Sequence, residues 1–366
     1  MTILGLHHIT LISANAERTA DFYTRVLGLR LVKKTVNFDD PGSYHLYFGD
    51  EIGRPGTAIT FFEWPKAPKG KIGVGGTHHL ALRVPDYNGL LKWKRRLTDL
   101  GLKVDGPFDR HYFTSIYFRD PDGVILEIAT DGPGWTIDET AESLGQAFRA
   151  PPEAMMLANR DSDTIAATTW DSPIRTITPD MALLNGMHHI TAIGSDIRAT
   201  HAFYTDILGM RLVKMTDNFD DPGSAHWYWA NRNADVGSTI TYFERDPKAT
   251  RYAEMGAGMT HHFAFAVEDE DIQRHYQKKL ASAGYRVSQI LDRDYFKSIY
   301  THDPDGHIVE LATVGPGFLK DEPIDSLGTE LKLPSWLEHL RPRAEASLQP
   351  INVESWTNVR TETELK

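Results

Sequence analysis

Two long stretches of the sequence recur further along the chain, nearly unchanged and in the same order. The stretch "LGLRLVKKTVNFDDPGS" at 27–43 returns as "LGMRLVKMTDNFDDPGS" at 208–224. A second stretch, "DRHYFTSIYFRDPDGVILEIATDGPGW" at 109–135, returns as "DRDYFKSIYTHDPDGHIVELATVGPGF" at 292–318. The two matches are collinear, with offsets of 181 and 183 residues. They indicate an internal duplication, so whatever unit the chain folds into must be built twice.

Each copy divides into two modules, and each module reads as a strand, a helix and three further strands. In the first module, apolar residues recur at helical spacing over 22–27, and Gly28 is typical of the residue that follows a helix. In the second, a helix is predicted over roughly 87–100, and "DPDG" at 120–123 is predicted to be the last hairpin turn, too short for a calcium loop. We therefore predict an α+β fold of four tandem βαβββ modules.

The duplication also predicts the domain boundaries. Residues 146–182 are rich in Ala, Pro, Asp and Thr and lack sustained periodicity, which is typical of a linker. One short helix is predicted in the tail near "PSWLEHL". The predicted organisation is a first domain at 1–145 with modules 1–70 and 71–135, a linker at 146–183, a second domain at 184–328 with modules 184–250 and 255–318, and a C-terminal tail at 329–366.

Composition narrows the class of function. The net charge of −11 argues against a nucleic-acid partner or a polybasic membrane contact. No run of about 18 apolar residues and no secretory pattern is seen, so we expect a cytoplasmic protein. Cysteine is absent, which excludes thiolate metal sites and a cysteine nucleophile. The expected partners are small molecules, and a homo-oligomer is left open.

Four His-His pairs stand at the starts of predicted strands: "GLHHIT" (5–10), "THHLAL" (77–82), "GMHHIT" (186–191) and "THHFAF" (260–265). Neighbouring strand residues point to opposite faces, so we expect only one imidazole of each pair to face a cavity. Glu127 and Glu310 lie in otherwise apolar strands, where a buried carboxylate needs a partner. A single strand histidine is more often structural. The repetition favours sites of two imidazoles and one carboxylate, a set that suits non-haem Fe(II).

These features resemble the vicinal oxygen chelate superfamily, which includes glyoxalases and extradiol dioxygenases. The repeated "HHIT", "RLVK", "NFDDP" and "SIY…DPDG" motifs are most similar to its ring-cleaving branch of hydroquinone and chlorohydroquinone dioxygenases. The resemblance covers roughly 1–145 and 184–345. It implies modules paired into two curled mixed-sheet barrels of vicinal oxygen chelate type. It also implies an extradiol-type enzyme that opens a hydroquinone-type or catechol-type ring with O2, using Fe(II), with Mn(II) as the alternative.

The resemblance also implies site residues at matching positions. The implied metal ligands are His8, His79, Glu127, His189, His262 and Glu310. The first histidines of the pairs are implied to support the ligands or line the substrate pocket, and to move protons at neutral pH: His7, His78, His188 and His261. Thr10 and Thr191 match substrate-pocket positions.

Two Arg–Tyr pairs complete the implied catalytic set. Arg110 and Arg293 would stabilise negative charge on substrate or oxygen, and Tyr117 and Tyr300 would donate a hydrogen bond to bound oxygen. An ion pair with a neighbouring Asp is the alternative for each arginine, and aromatic packing is the alternative for each tyrosine. Four phenylalanines are candidates for an apolar wall, with core packing as the alternative role: Phe62, Phe113, Phe243 and Phe296.

The sequence leaves the pairing of the modules open. Pairing within a copy gives the triplets His8/His79/Glu127 and His189/His262/Glu310. Pairing the first module with the last gives His8/His262/Glu310 and His189/His79/Glu127. Typical members of the branch keep one intact site, whereas every ligand position here is filled twice. The chain can therefore have one working centre or two.

Two other functions use the same scaffold. A glyoxalase-like isomerase or lyase would use a fourth, acidic ligand, but the matching register holds Thr60 and Thr241. Glu63 and Glu244 lie three residues further along and should face the other side unless a bulge shifts the strand. A non-enzymatic aromatic- or drug-binding resistance protein would need no metal triad at all.

Overall fold

The computed structural model describes residues 2–353 and residue 356. These residues form sixteen strands, four in each module. The first module contains β1 (Gly5–Ser13), β2 (Arg30–Asn37), β3 (Asp40–Gly49) and β4 (Ala58–Glu63). The second contains β5 (Thr77–Val84), β6 (Asp105–Asp109), β7 (Phe113–Arg119) and β8 (Ile125–Pro133). The third contains β9 (Met187–Gly194), β10 (Arg211–Asn218), β11 (Asp221–Ala230) and β12 (Thr239–Glu244). The fourth contains β13 (Thr260–Val267), β14 (Leu291–Asp292), β15 (Lys297–His302) and β16 (Ile308–Thr313).

Each module has one helix between its first and second strands. In chain order the helices are α1 (Ala16–Asp21), α2 (Tyr87–Asp99), α3 (Ser162–Ala167), α4 (Ile197–His201), α5 (Glu270–Ser282) and α6 (Arg341–Ser347). The helices α1 and α4 continue as wider π-helical turns over Phe22–Val26 and Ala202–Ile207. The four module helices begin at residues whose side chains accept from the first-turn N–H groups: Asn15, Asp86, Asp196 and Asp269.

The remaining two helices lie outside the modules. The helix α3 belongs to the predicted linker, and α6 begins just after the predicted "PSWLEHL" position in the tail. Within the described part of the chain, no helix is long and apolar enough to cross a membrane.

The strands form two eight-stranded mixed sheets, and each sheet joins modules from different copies. The first sheet has the order β14-β15-β16-β13-β1-β4-β3-β2 and combines the first and fourth modules. The second has the order β10-β11-β12-β9-β5-β8-β7-β6 and combines the second and third. The central contacts, β1 with β13 and β5 with β9, are antiparallel. The predicted fold of four βαβββ modules in two curled mixed sheets is confirmed, and the pairing left open by the sequence is the one across the copies.

Buried lysines fix this pairing. Lys33 in β2 lies 2.6 Å from Asp321 and also contacts Glu322. These two acids follow the last strand of the fourth module, so the contact joins the first module to the fourth. Lys214 in β10 makes the equivalent contacts with the acidic pair at 138–139, which leaves the second module. Both lysine side chains are fully buried. Because a buried charge is stable only when it is paired, these contacts favour the pairing across the copies over the pairing within each.

Candidate metal centres

The four histidine pairs lie where their strands depart from regular register. On β1, Leu6 and His8 face consecutive residues of β13, so the pairing skips His7. The same irregularity skips the first histidine of every other pair, namely His78, His188 and His261. A bulge changes the direction of the extra side chain. Instead of pointing to opposite faces as in a regular strand, the two imidazoles of each pair come together, with their Nδ1 atoms 2.8 Å apart in all four pairs.

The register of the first sheet brings three donor residues together. Glu310 on β16 lies opposite Ala264 on β13, which lies opposite His8 on β1, and residues in such a row share a face. His262 precedes Ala264 by two residues and so points the same way. His8 Nε2 is 3.3 Å from His262 Nε2 and 3.3 Å from Glu310 Oε2, and His262 Nε2 is 3.0 Å from that oxygen. We name His8, His262 and Glu310 the first centre.

The second sheet builds the same arrangement. His79 Nε2 is 2.9 Å from Glu127 Oε2 and 3.2 Å from His189 Nε2, and His189 Nε2 is 3.4 Å from Glu127 Oε2. We name His79, Glu127 and His189 the second centre. All six side chains of the two centres are buried, with at most 5% of any residue exposed. The structure thus brings the six predicted ligands together in the combination across the copies.

The two triads fit a metal ion. Two ligand atoms about 2.1 Å from one cation, at right angles to each other, are about 3.0 Å apart. The six donor–donor distances in the two centres span 2.9–3.4 Å. Among the residues that the structure describes, Glu127 Oε1 and Oε2 and Glu310 Oε2 are buried without a hydrogen-bond donor in line. Buried ligand atoms that converge on one point, with carboxylate oxygens that lack a hydrogen bond, are the arrangement expected around a cation.

The hydrogen bonds of His7 assign the proton positions in the first centre. His7 Nε2 lies 3.1 Å from the carbonyl oxygen of Thr313, which can only accept, so this nitrogen carries the proton. In neutral His7, Nδ1 then accepts from the Nδ1–H of His8. The Nε2 lone pair of His8 is left facing Glu310 and His262. Its tautomer is therefore that of a metal ligand. His188 also bonds to a backbone group, that of Thr130, next to His189.

The first histidines of the pairs are neutral at pH 7. Burial, together with the neighbouring imidazole, lowers the pKa of His7, His78, His188 and His261 to about 3. His78 and His261 are only partly buried and lie edge-on to Phe243 and Phe62, respectively, at ring-centre distances of 5.3 and 5.2 Å. Such a group accepts a hydrogen bond from the adjacent ligand at neutral pH.

The two carboxylates carry the charge of the centres. Burial alone would raise the pKa of Glu127, but His189 and His79 outweigh it and hold that pKa well below its usual range. For Glu310, His8 and His262 have the same effect. Each centre therefore offers two imidazole nitrogens and one carboxylate, the donor set of the Fe(II) triad.

A second row of polar side chains lies beside each triad, and only its first threonine was among the predicted site residues. Thr10 Oγ1 lies 2.9 Å from His262 Nε2 and 2.7 Å from Thr60 Oγ1. His45 Nε2 then lies 2.9 Å from Thr60 Oγ1, and Tyr47 Oη lies 3.0 Å from His45 Nδ1. The second sheet repeats the row with Thr191, Thr241, His226 and Tyr228. The signal for the missed residues was the repeat itself, since "SYHLYFG" and "SAHWYWA" place a histidine at equivalent positions.

The predicted arginines and tyrosines lie at the mouths of the centres. Tyr117 and Tyr300 stand edge-on to His79 and His262, with ring centres 5.6 and 5.7 Å apart. Burial raises the pKa of both phenols, so each keeps its proton at neutral pH. The guanidinium of Arg110 covers the ring of Tyr117 at 5.4 Å.

Both arginines also have the ion pair that was the alternative role. Arg110 binds Asp220 through two bonds of 3.0 Å, and Arg293 contacts Asp39 at 3.3 Å. Each of these acids comes from the other module of the same sheet. Arg110, Tyr117 and Asp220 line one small cavity above the second centre, whose apolar walls include Phe113 and Phe243.

The acids considered as a fourth ligand lie elsewhere. Glu63 Oε1 accepts from Ala16 N at 2.9 Å, and Glu244 Oε1 accepts from Ile197 N at 2.9 Å. Each glutamate therefore satisfies the first turn of a module helix, away from the triads. Thr60 occupies the register next to the first centre instead.

Curled sheets of paired βαβββ modules, each holding two histidines and one glutamate, define a protein of the vicinal oxygen chelate class. The chain belongs to the Glyoxalase/Bleomycin resistance protein/Dioxygenase superfamily, whose family model matches residues 5–128 and 186–311. It is 34% identical over 352 residues to MhqO of Bacillus subtilis, a protein assigned as a ring-cleaving dioxygenase, covering 96% of this chain and 97% of the relative.

A relative of named substrate and a solved structure agree with this. The chain is 30% identical over 345 residues to the chlorohydroquinone/hydroquinone 1,2-dioxygenase of Sphingobium indicum, covering 92% of this chain and 93% of the relative. A crystal structure of an assigned dioxygenase from Bacillus subtilis has a TM-score of 0.76 and 31% identity, covering 97% of this chain and 99% of that one. The predicted resemblance and the prediction of a ring-cleaving dioxygenase are confirmed.

Proposed function

We propose that the chain is an extradiol-type dioxygenase that opens a dihydroxylated aromatic ring with O2 and uses Fe(II), with Mn(II) as the alternative, at both centres. The observation that carries the proposal is the pair of buried His/His/Glu triads, each with donor–donor distances of 2.9–3.4 Å. A bound Fe(II) would supply open coordination positions at which a substrate hydroxyl and dioxygen are held side by side. The name of the Sphingobium relative, a chlorohydroquinone/hydroquinone 1,2-dioxygenase, favours a para-diol as substrate, with an ortho-diol as the alternative.

The chain's own residues would position the ring. The cavity above the second centre is lined by Phe113 and Phe243, which offer an apolar surface for an aromatic ring. Tyr117, kept protonated by burial, can donate a hydrogen bond to an oxygen of the substrate. Arg110 stands at the mouth with its charge shared with Asp220, where it favours a substrate oxygen that has lost its proton. Tyr300 and Arg293 would act in the same way at the first centre.

The polar row beside each triad would hold the substrate hydroxyl. Thr10 and Thr191 lie between the triads and the His45 and His226 imidazoles. Burial lowers the pKa of both imidazoles well below the usual range, so each is neutral and supports the row through its hydrogen bond with Thr60 or Thr241. The first histidines of the pairs would instead fix the orientation of the ligands, because each accepts or donates at the ligand's Nδ1.

The alternative functions are less well supported. A glyoxalase-like enzyme would need a fourth acid at each metal, but Glu63 and Glu244 cap helices. A binding protein would have no use for two complete triads. These observations favour oxygen chemistry over both alternatives.

The experiment is metal and oxygen stoichiometry on the full chain. Protein loaded anaerobically with Fe(II) and desalted should contain two iron atoms per chain by elemental analysis, and it should consume oxygen with hydroquinone or catechol. The variants Glu63→Gln and Glu244→Gln serve as matched controls, because glutamine keeps the capping oxygen and both irons should stay bound. Iron loss in these controls would favour the four-ligand isomerase, and absence of oxygen uptake with every diol in the iron-loaded protein would refute the proposal.

A further inference from the structure

The mouths of the two centres differ by one residue from the linker. At the second centre, Asp220 Oδ1 lies 2.5 Å from Arg160 Nη1, in addition to its two bonds with Arg110. One carboxylate at the edge of the cavity thus joins two guanidinium groups. Arg160 lies in the segment between the two copies, so it has no place in the repeated modules.

The side chain of Arg160 is buried and contacts several other segments. Its side chain is 93% buried, since 7% is exposed, and its Nε donates to the carbonyl oxygen of Met155 at 2.8 Å. Its guanidinium lies 5.0 Å from the centre of the Phe108 ring, which Arg110 also covers at 5.2 Å. The backbone of Leu157 donates to Phe219 O at 3.0 Å and so ties the same segment to the loop that carries Asp220.

One nitrogen of this arginine has no partner. Arg160 Nη2 is buried and forms no hydrogen bond with any residue that the structure describes. A guanidinium is always charged, and burying one of its N–H groups unsatisfied is unfavourable. We therefore expect a compensating role for this buried group: it holds Asp220 and Arg110 in position, or its free N–H binds a group that enters the cavity.

Among the residues that the structure describes, the first centre has no equivalent of this element. Arg293 contacts Asp39 through one bond of 3.3 Å, and 77% of the Asp39 side chain is exposed, against 40% for Asp220. In the described ranges, no second cation lies within 4 Å of the Asp39 carboxylate. The position equivalent to Phe108 is Leu291, and Arg343, which follows Arg160 by the repeat offset of 183, is exposed. The mouth of the first centre is thus held by a single weak ion pair.

We propose that Arg160 is a positioning residue that closes the mouth of the second centre through Asp220 and Arg110, and that it makes this centre the more selective of the two against bulky ring substituents. The inference rests on the proposed function. Three residues from three segments must move apart before a larger ring can enter the second centre, whereas only Arg293 and Asp39 must separate at the first.

The test uses enzymes with one working centre. Glu310→Gln leaves the second centre and Glu127→Gln leaves the first, and Arg160→Met is added to each. With only the second centre, Arg160→Met should raise kcat/KM for tert-butylhydroquinone relative to hydroquinone about tenfold. With only the first centre the ratio should change less than twofold. Arg160→Lys should restore part of the selectivity, and Arg343→Met is the matched control that should leave it unchanged.

A second readout does not depend on turnover. EDTA should remove Mn(II) from the second centre at least fivefold faster after Arg160→Met, with no change at the first centre. Equal effects on both substrates and an unchanged removal rate would overturn the proposal, because they are what a merely structural arginine gives. If neither single-centre enzyme consumes oxygen, the proposed dioxygenase function fails, and the removal rate still decides whether Arg160 closes the mouth.

Discussion

The two centres have the same residue types at the positions that face the metal site, but their arginines have different ion-pair partners at the mouths that face solvent. Both triads have the same three residue types, and both are flanked by the same row of two threonines, a histidine and a tyrosine. At the mouths, Arg110 has a bidentate, doubly paired carboxylate, and Arg293 has a single exposed one. Even the buried serines differ, since Ser298 donates to Glu310 and Ser115 to Tyr117.

The difference follows from burial. A donor in a buried triad cannot change without leaving an unpaired group, which typically destabilises a protein by about 3–5 kcal/mol. An exposed ion pair contributes at most about 1 kcal/mol, so the mouth of a duplicated site can change at little cost. The two copies therefore have the same donor sets and differ in the residues at their mouths, which is the basis of our proposal that the two centres differ in selectivity.

Removing one carboxylate should have the largest effect. Glu127→Gln and Glu310→Gln each replace the only anion of a centre with a neutral amide, and we expect metal binding at that centre to weaken by about 100-fold or more, or roughly 3 kcal/mol. Each variant should hold one metal per chain after desalting, measured by elemental analysis, and the double variant none. Equal losses of oxygen uptake would support two working centres. A loss in only one variant would break the equivalence of the inner halves and leave a single centre.

The second comparison concerns stability, at the "DPDG" turns. In the fourth module, Asp303 is paired with His307 at 2.9 Å and accepts from Tyr242 at 2.5 Å. In the second module, Val124 stands in place of that histidine. Asp303→Asn leaves a buried imidazole without its anion, so we expect a loss of about 3–5 kcal/mol in the free energy of unfolding at pH 7. The equivalent change at the other turn, Asp120→Asn, should not destabilise the protein at that pH.

The pH dependence of these two variants has opposite signs. Burial raises the pKa of Asp120 to about 6, so this group stabilises the fold below its unfolded pKa, near 4, and that contribution is lost as pH rises through 6. Asp120→Asn should therefore gain about 1.4 kcal/mol relative to wild type between pH 5 and pH 8. Burial opposes the charge of Asp303, but His307 outweighs it and lowers its pKa, so its contribution is present above pH 4 and lost in acid. Urea unfolding at pH 5 and 8 measures the change for Asp120→Asn, and unfolding at pH 3 and 5 measures the change for Asp303→Asn. A gain for Asp303→Asn at pH 8 would contradict the assignment of this pair.

The sequence predicted the inner parts of the sites better than their assembly. The repeat, the helical spacing at 22–27 and the paired histidines were enough to predict four modules, and the family resemblance implied which six residues would be ligands. The pairing of modules could not be predicted, because both pairings place the same residue types on the same faces. What favours the pairing across the copies is contacts far apart in sequence, such as Lys33 with Glu322. The bulges were also invisible, since they arise from the register between two strands rather than from either strand alone.

Residues inside the repeated modules could have been identified from the sequence, whereas the role of a residue in the linker could not. His45 and His226 could have been found, because they occupy equivalent positions in both copies. Arg343 stands at the repeat offset from Arg160, but Arg160 lies in a segment without periodicity, and nothing in the sequence connects it with Asp220. Long-range contacts made by a linker are set by the way it wraps around the folded sheets, and composition does not encode that path.

Removing the first histidine of a pair should have a smaller effect on metal affinity. The size of the effect should depend on whether that histidine also bonds to the backbone. His7 is held by Thr313 and in turn accepts from His8, whereas His78 has no such backbone anchor among the residues described. We expect His7→Leu to weaken metal binding at the first centre by about 10–100-fold, the usual consequence of removing such a support. His78→Leu should weaken the second centre less. Competition with a fluorescent chelator measures both affinities, and a larger effect at His78 would contradict the proton assignment made from Thr313.

The smallest expected difference lies at the two serines. Ser298 Oγ donates to Glu310 Oε1, whereas Ser115 Oγ donates to Tyr117 Oη at 3.3 Å and leaves Glu127 Oε1 without a protein donor. A hydrogen bond to a charged group contributes about 1.5–3 kcal/mol and one between neutral groups about 1 kcal/mol. A bound cation already offsets part of the carboxylate charge, so we expect Ser298→Ala to weaken metal binding at the first centre only about tenfold, or 1.4 kcal/mol.

Ser115→Ala should change metal binding at the second centre less than threefold, because the bond it loses ends on a phenol rather than on a ligand. The comparison is made in the single-centre backgrounds, Glu127→Gln for Ser298 and Glu310→Gln for Ser115, with the same competing chelator. Equal effects would mean that the serines support both glutamates alike and that the centres differ only at the mouth. The expected tenfold against threefold would place the divergence of the two copies one residue deeper, at the groups that hold the carboxylates.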